Sequence, residues 1–180
     1  MRRSSLAKTD RVWNIFRYTL GRFRGILLFY GILLLLLGPV STLVQYGSGV
    51  KAAAALPELF VWGIPLVMAV LMPLLIFGFV NHKQALDVFH AAPIRRDTLY
   101  LGSYLAGLFL VEAPLFLFGG MTAFLQQVCF QSGEQGLLCL LNFGISAFMS
   151  FSLMVFVLIN CGTMFESVVY YVVLCVGWPA

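Results

Sequence analysis

The sequence predicts an all-α integral membrane protein: an amphipathic N-terminal elbow helix, four complete transmembrane helices and part of a fifth, with the N-terminus in the cytoplasm. Three observations predict it. First, 61% of the 180 residues are apolar and only 10% are charged, against roughly 25% charged in an ordinary soluble domain. Mean hydropathy is +0.96, more apolar surface than one core of this size can hide. Second, long stretches carry no charge: residues 25–50, 59–82 and 135–165 carry none, and 98–133 holds the single acid Glu112. Third, the basic residues are segregated. Seven of the eleven Lys and Arg lie within the first 24 positions, and Lys83, Arg95 and Arg96 share one later loop. Together these exclude a secreted disulfide scaffold, a disordered tail and an ordinary cytosolic enzyme.

Residues 1–24 form a cytoplasmic segment. Thr9 and Asp10 suit a helix start. Val12, Trp13, Phe16, Leu20 and Phe23 then fall on one face at helical spacing, with Arg11, Asn14, Arg17 and Arg24 on the other. Such a helix lies in the membrane interface, with Trp13, Phe16 and Leu20 in the acyl boundary and Arg17 toward lipid phosphates. The plainer alternative is a solvated stub before the first span. A basic start also suits nucleic acid, but the apolar run behind it favours the positive-inside rule. The same length of basic region argues against a signal peptide cut near Ala52–Ala55.

Residues 25–180 form a single transmembrane domain. Its helices are expected near 25–45, 57–80, 98–127 and 137–160, since a span needs about 20 apolar residues. A fifth helix starts near 166, with only 14 residues left after Glu166. At 1.5 Å per residue this reaches roughly 21 Å, short of the hydrocarbon thickness. The expectation is a truncated chain or a fragment of a longer protein. The positive-inside rule puts the N-terminus and the 81–97 loop in the cytoplasm and the 46–56 and 128–136 loops outside.

Pro65 and Pro73 are expected to kink the second helix and Pro114 the third. Glu112 stands past the bilayer midplane, where an acid usually faces a bundle interior or a wet path. It is either a substrate contact or proton relay on a translocation path with Asn142, or a protonated carboxyl bonded to a neighbouring helix through Asn142. Gly119, Gly120 and Gly162 permit close helix approach. Cys129 and Cys139 flank one external loop; they form either a disulfide or two small apolar positions in helices. Asn160, Cys161 and Glu166 mark a second short cytoplasmic turn.

The most informative stretch is Asn81 to Thr98. Asn81 and Gln84 resemble a capping arrangement, Leu86 and Phe89 share a face of a short helix, and Pro93 ends it. Asp97 or Thr98 then caps the next span. Phe89 is placed to fill a pocket on a cytoplasmic partner, and Arg95 and Arg96 to pair with carboxylates or lipid phosphates. Alternatively the loop is merely solvated, and its arginines enforce topology.

The run Asp87-Val88-Phe89-His90-Ala91-Ala92-Pro93-Ile94-Arg95-Arg96, between a second and a third helix, resembles ATP-binding-cassette exporter permeases of the ABC type-2 family. The match falls on Phe89, His90, Ala91, Pro93, Ile94 and Arg96, and Tyr104-Leu105-Ala106-Gly107 resembles the start of that family's third helix. The N-terminal amphipathic helix resembles its elbow helix. The resemblance implies that the loop is a coupling helix, seated on a separate ATPase subunit through Leu86, Asp87, Phe89, His90, Pro93, Ile94, Arg95 and Arg96. It further implies a second permease half, identical or different, contact with membrane lipid, and a bacterial plasma membrane. Family members have at least six spans, so this chain would supply an incomplete path.

No G-x-x-x-x-G-K-[ST] phosphate loop, G-x-S-x-G elbow or H-E-x-x-H pair occurs. The chain is therefore expected to be a transport subunit rather than an enzyme, with no cofactor or metal of its own, no nucleic-acid partner, and ATP on the partner subunit. Two other functions remain open: a membrane scaffold or sensor that binds a non-ATPase partner through the same loop, and an intramembrane enzyme centred on Glu112.

Overall fold

The computed structural model describes residues 2–49, 55–78, 96–130, 133–161 and 163–177. Six helices make up nearly all of them: α1 (Arg2–Arg22), α2 (Arg24–Gly47), α3 (Ala55–Phe77), α4 (Arg96–Phe130), α5 (Gly133–Asn160) and α6 (Met164–Gly177). No strand occurs among the described residues. The all-helical class agrees with the sequence reading. Three stretches are long and apolar enough to cross a membrane: Arg24–Gly47, Thr98–Phe130 and Gly136–Asn160. Two shorter apolar stretches, Gly63–Phe77 and Met164–Cys175, accompany them. This is the composition of a multi-pass membrane protein.

The chain forms two compact units. One holds residues 1–22, 70–108 and 150–180; the other holds 23–69 and 109–149. In the first, the packing face of α1 is rotated from the stripe expected of it. A Cβ on Gly102 of α4 would lie 2.9 Å from Ile15 Cγ2 and 3.2 Å from the Val12 carbonyl, so α1 and α4 nearly touch backbones. Thr19, on the same face, is buried, and its hydroxyl donates to the Ile15 carbonyl at 2.9 Å. Trp13 lies on the flank of that seam, 57% exposed and stacked on Phe16 with ring centroids 5.2 Å apart. Arg17 is exposed and Leu20 half-buried. Trp13 is thus left exposed beside Arg17, while Phe16 and Leu20 are half-buried.

Further along this unit, Phe77 stacks on Tyr100 and Tyr104 meets Phe151 edge-on. The Tyr104 and Ser152 hydroxyls share a hydrogen bond of 2.8 Å. Gly107 lies where α3, α4 and α5 converge: a Cβ there would sit 2.7 Å from Phe151 Cζ and 2.8 Å from Ile76 Cδ1. Lipid tails are as apolar as leucine, so such close approach over small residues supplies the attraction that water would otherwise drive.

The second unit is built the same way. Gly31 faces Phe118, Gly119 faces Leu140 and Gly144 faces Phe116. Tyr46 and Phe130 make an edge contact at 6.0 Å. Gly120, expected to share the role of Gly119, has no atom near its would-be Cβ. Leu34, Ala69, Leu110, Val111, Leu115, Leu140 and Ala147 fill the interior.

Pro39 leaves the clearest mark on local structure. Helix α2 widens there into one π turn over Leu36–Val40. Proline lacks the N–H that the fourth carbonyl back would accept, and its ring crowds that carbonyl; a π turn relieves both. The hydroxyl of Ser41 donates to the carbonyls of Leu37 and Gly38, and that of Thr42 to Gly38 at 2.9 Å. Side-chain hydroxyls thus satisfy backbone groups that hydrocarbon cannot. By contrast, α4 runs unbroken through Pro114 over its 35 residues, and α3 is a single helix through Pro65 and Pro73.

Candidate functional site

Most of the second unit's interior is hydrocarbon. Among the described residues, the polar side chains buried there without a hydrogen-bond partner are Glu112 on α4 and Tyr30 on α2. Tyr30 is only 1% exposed, and the Glu112 carboxyl lies within electrostatic reach of its hydroxyl. Both carboxyl oxygens of Glu112 and the Tyr30 hydroxyl are buried without a hydrogen-bond partner. Each buried polar group left unmatched costs about 1–3 kcal/mol, and a carboxylate offers roughly four acceptor positions. This is unspent hydrogen-bonding capacity in a place where proteins seldom tolerate it.

Two features position the pair. In α4, Glu112 shares its flank with Leu115 and Gly119, both buried, so helical phase turns it inward. In α2, Tyr30 occupies the inner flank one turn before Leu34, also buried. On the far side of the α2–α4 seam an apolar groove of about 330 Å³ opens, lined by Leu27, Gly31, Leu35, Ala113, Pro114 and Phe118 among others. Glu112 stands roughly 140° around α4 from that groove at helical spacing. The groove and the polar pair are therefore separate features of one unit.

The residues singled out in the sequence fare differently. Asn142 is exposed, and its backbone carbonyl accepts from Ser146 at 2.8 Å. The expected hydrogen bond between Glu112 and Asn142 is not formed, since the carboxyl has no partner. Cys129 and Cys139 are free thiols, half-buried in α4 and α5, which leaves the reading of small apolar positions. Leu86, Asp87, Phe89, His90, Pro93, Ile94 and Arg95 lie outside the described residues, and Arg96 opens α4, one residue earlier than the expected cap. Among the described residues no three His, Cys, Asp or Glu side chains cluster as a metal site.

Two features escaped the sequence reading. Tyr30 stands in an aliphatic run, and only its hydroxyl, odd in that company, could have signalled it. The run Thr163-Met164-Phe165-Glu166 has capping-box spacing: the Glu166 N–H donates to Thr163 Oγ1 at 3.2 Å and fixes the start of α6. Comparison with protein-family models, curated proteins and solved structures finds no match to this chain.

Proposed function

We propose that the chain is a membrane-spanning permease subunit of an ATP-driven ABC exporter, coupled to a separate ATPase subunit through residues 82–96. The observation that carries this reading is the Phe89-His90-Ala91-x-Pro93-Ile94-x-Arg96 run between the second and third apolar helices. Apolar helices long enough to span a membrane support it, as does the absence of a phosphate loop from the sequence. In this reading, ATP binding closes two ATPase subunits, the 82–96 segment follows them, and the helices reorient. Two permease halves, identical or different, enclose the path in a bacterial plasma membrane. Glu112 and Tyr30 then serve as polar contacts along the path, where unmatched groups in the resting state find their partner in the cargo.

The test is affinity purification of the full-length protein from its native membrane, with mass spectrometry of what accompanies it and Phe89→Asp in parallel. A co-purifying Walker-motif ATPase, lost in the variant, is the expected result. A different cytoplasmic partner lost in the variant would replace the exporter with a scaffold or sensor. No partner from an intact complex would sink both, and would turn attention to chemistry at Glu112.

A further inference from the structure

A second cavity, of about 480 Å³, lies between the end of α5 and α6 within the first unit. Its chemistry is divided. Phe156, Val157 and Leu174 line it with hydrocarbon, while Asn160, Glu166 and Tyr170 line it with polar groups. None of the lining residues is basic. Helical spacing brings Glu166 and Tyr170, four apart on α6, onto one face. The Asn160 amide nitrogen spends one of its two N–H donors on the Phe156 carbonyl at 2.7 Å, and the amide oxygen is an acceptor. The cleft thus combines a carboxylate, an amide oxygen and a phenolic hydroxyl, all able to accept. Thr163 fixes the backbone of Glu166 through the capping bond, and the carboxylate is exposed.

We propose that this cleft binds the headgroup of a membrane lipid bearing a primary ammonium, with the lipid's hydrocarbon along Phe156, Val157 and Leu174. Three arguments select that occupant. A lone anionic side chain with no lining cation favours the ammonium end of a zwitterionic headgroup and disfavours a net anionic one. A primary ammonium carries three N–H donors, matching three acceptors, whereas a quaternary ammonium carries none. The cleft lies at a turn between two apolar helices, where chain leaves hydrocarbon for the interface, so polar and apolar ends match the axis of a lipid. The proposal rests on the membrane setting of these helices and not on the exporter reading, so either can fail alone.

The test uses the full chain in detergent micelles doped with equal amounts of phosphatidylethanolamine, its N-methyl and N,N-dimethyl derivatives, phosphatidylcholine and phosphatidylglycerol, read by native mass spectrometry. Retention should fall stepwise as N–H donors are replaced by methyls, by about tenfold across the series for a charge-assisted site at a wet interface. Glu166→Gln should flatten the series, with Tyr170→Phe weakening it as a second variant that keeps the carboxylate. Protection of the Cys161 thiol, which lines the cleft, against maleimide by phosphatidylethanolamine alone would locate the lipid without any change to Glu166. Equal retention of the ethanolamine and choline lipids by the unmodified protein would overturn the proposal. So would preference for phosphatidylglycerol, or a stepwise series that survives in a folded Glu166→Gln protein.

Discussion

Gly107 and Gly120 occupy the same helix, and the structure assigns them opposite responses to the same substitution. Replacing glycine by alanine in a helix interior is worth about 0.8–1 kcal/mol in propensity, and this gain is common to both. At Gly120 nothing lies within 4 Å of the new methyl, so the gain is kept whole. At Gly107 the methyl would lie 2.7 Å from Phe151 Cζ and 2.8 Å from Ile76 Cδ1. Neither can retreat easily. Phe151 is 1% exposed and held against Tyr104, and Ile76 is buried. Overpacking of this kind costs about 1–3 kcal/mol. Gly120→Ala is therefore expected to be about 1 kcal/mol more stable than the natural protein, and Gly107→Ala about 1–3 kcal/mol less stable than Gly120→Ala. Reversible unfolding by sodium dodecyl sulfate in mixed micelles, followed by far-ultraviolet circular dichroism, measures the difference. A Gly107→Ala protein as stable as Gly120→Ala would refute the close convergence of α3, α4 and α5. Gly107→Val should widen the gap, because its two further methyls have nowhere to go.

Glu112→Leu removes a carboxyl that has no partner, and is expected to raise stability by about 1–3 kcal/mol in the same unfolding assay; a destabilised variant would mean that the carboxyl is satisfied. Thr163→Ala deletes the acceptor for the Glu166 N–H and should cost about 1 kcal/mol, visible as faster hydrogen exchange confined to the first turn of α6. Tyr104→Phe and Ser152→Ala should show a coupling of about 0.6 kcal/mol in a double-mutant cycle, the usual scale for a hydroxyl pair between membrane helices. Ser152→Ala alone should cost more than Tyr104→Phe, since Ser152 has a further interaction. In intact cells an impermeant maleimide should label a cysteine placed at 48 and spare one placed at 89, which it should reach only once the membrane is opened, as the distribution of basic residues requires; the opposite pattern would reverse the topology.

Helix positions were legible because each depends on a local property. A run of apolar residues of span length is a helix in hydrocarbon whatever surrounds it, since every backbone group must be satisfied within the segment. The expected spans near 25–45, 98–127 and 137–160 thus recur as Arg24–Gly47, Arg96–Phe130 and Gly133–Asn160. The capping box at Thr163 was equally local and could have been read from its spacing. Face and partner were harder. The stripe of Trp13, Phe16 and Leu20 marked α1 as amphipathic, yet α1 meets α4 through Val12, Ile15 and Thr19. In a membrane both polar and apolar faces have a solvent to suit them, so hydrophobicity alone does not say which face meets protein.

The sequence by itself determined the class of this protein: helices long and apolar enough to cross a membrane, a basic N-terminal amphipathic segment, and a single acid, Glu112, within the apolar stretch 98–133. Only the tertiary structure decided what that acid meets. Asn142 was its expected companion by chemistry, but that side chain is exposed, and the carboxyl is buried without a hydrogen-bond partner, within electrostatic reach of Tyr30, 82 positions earlier in the chain. Tertiary structure also distinguished Gly119, pressed against Leu140, from Gly120, where a Cβ would meet open space. The physical reason is common to both. Composition and spacing fix what a helix needs from its medium, whereas the pairing of side chains depends on rotation about the helix axis, and helices with apolar residues all round leave that rotation to be set by packing.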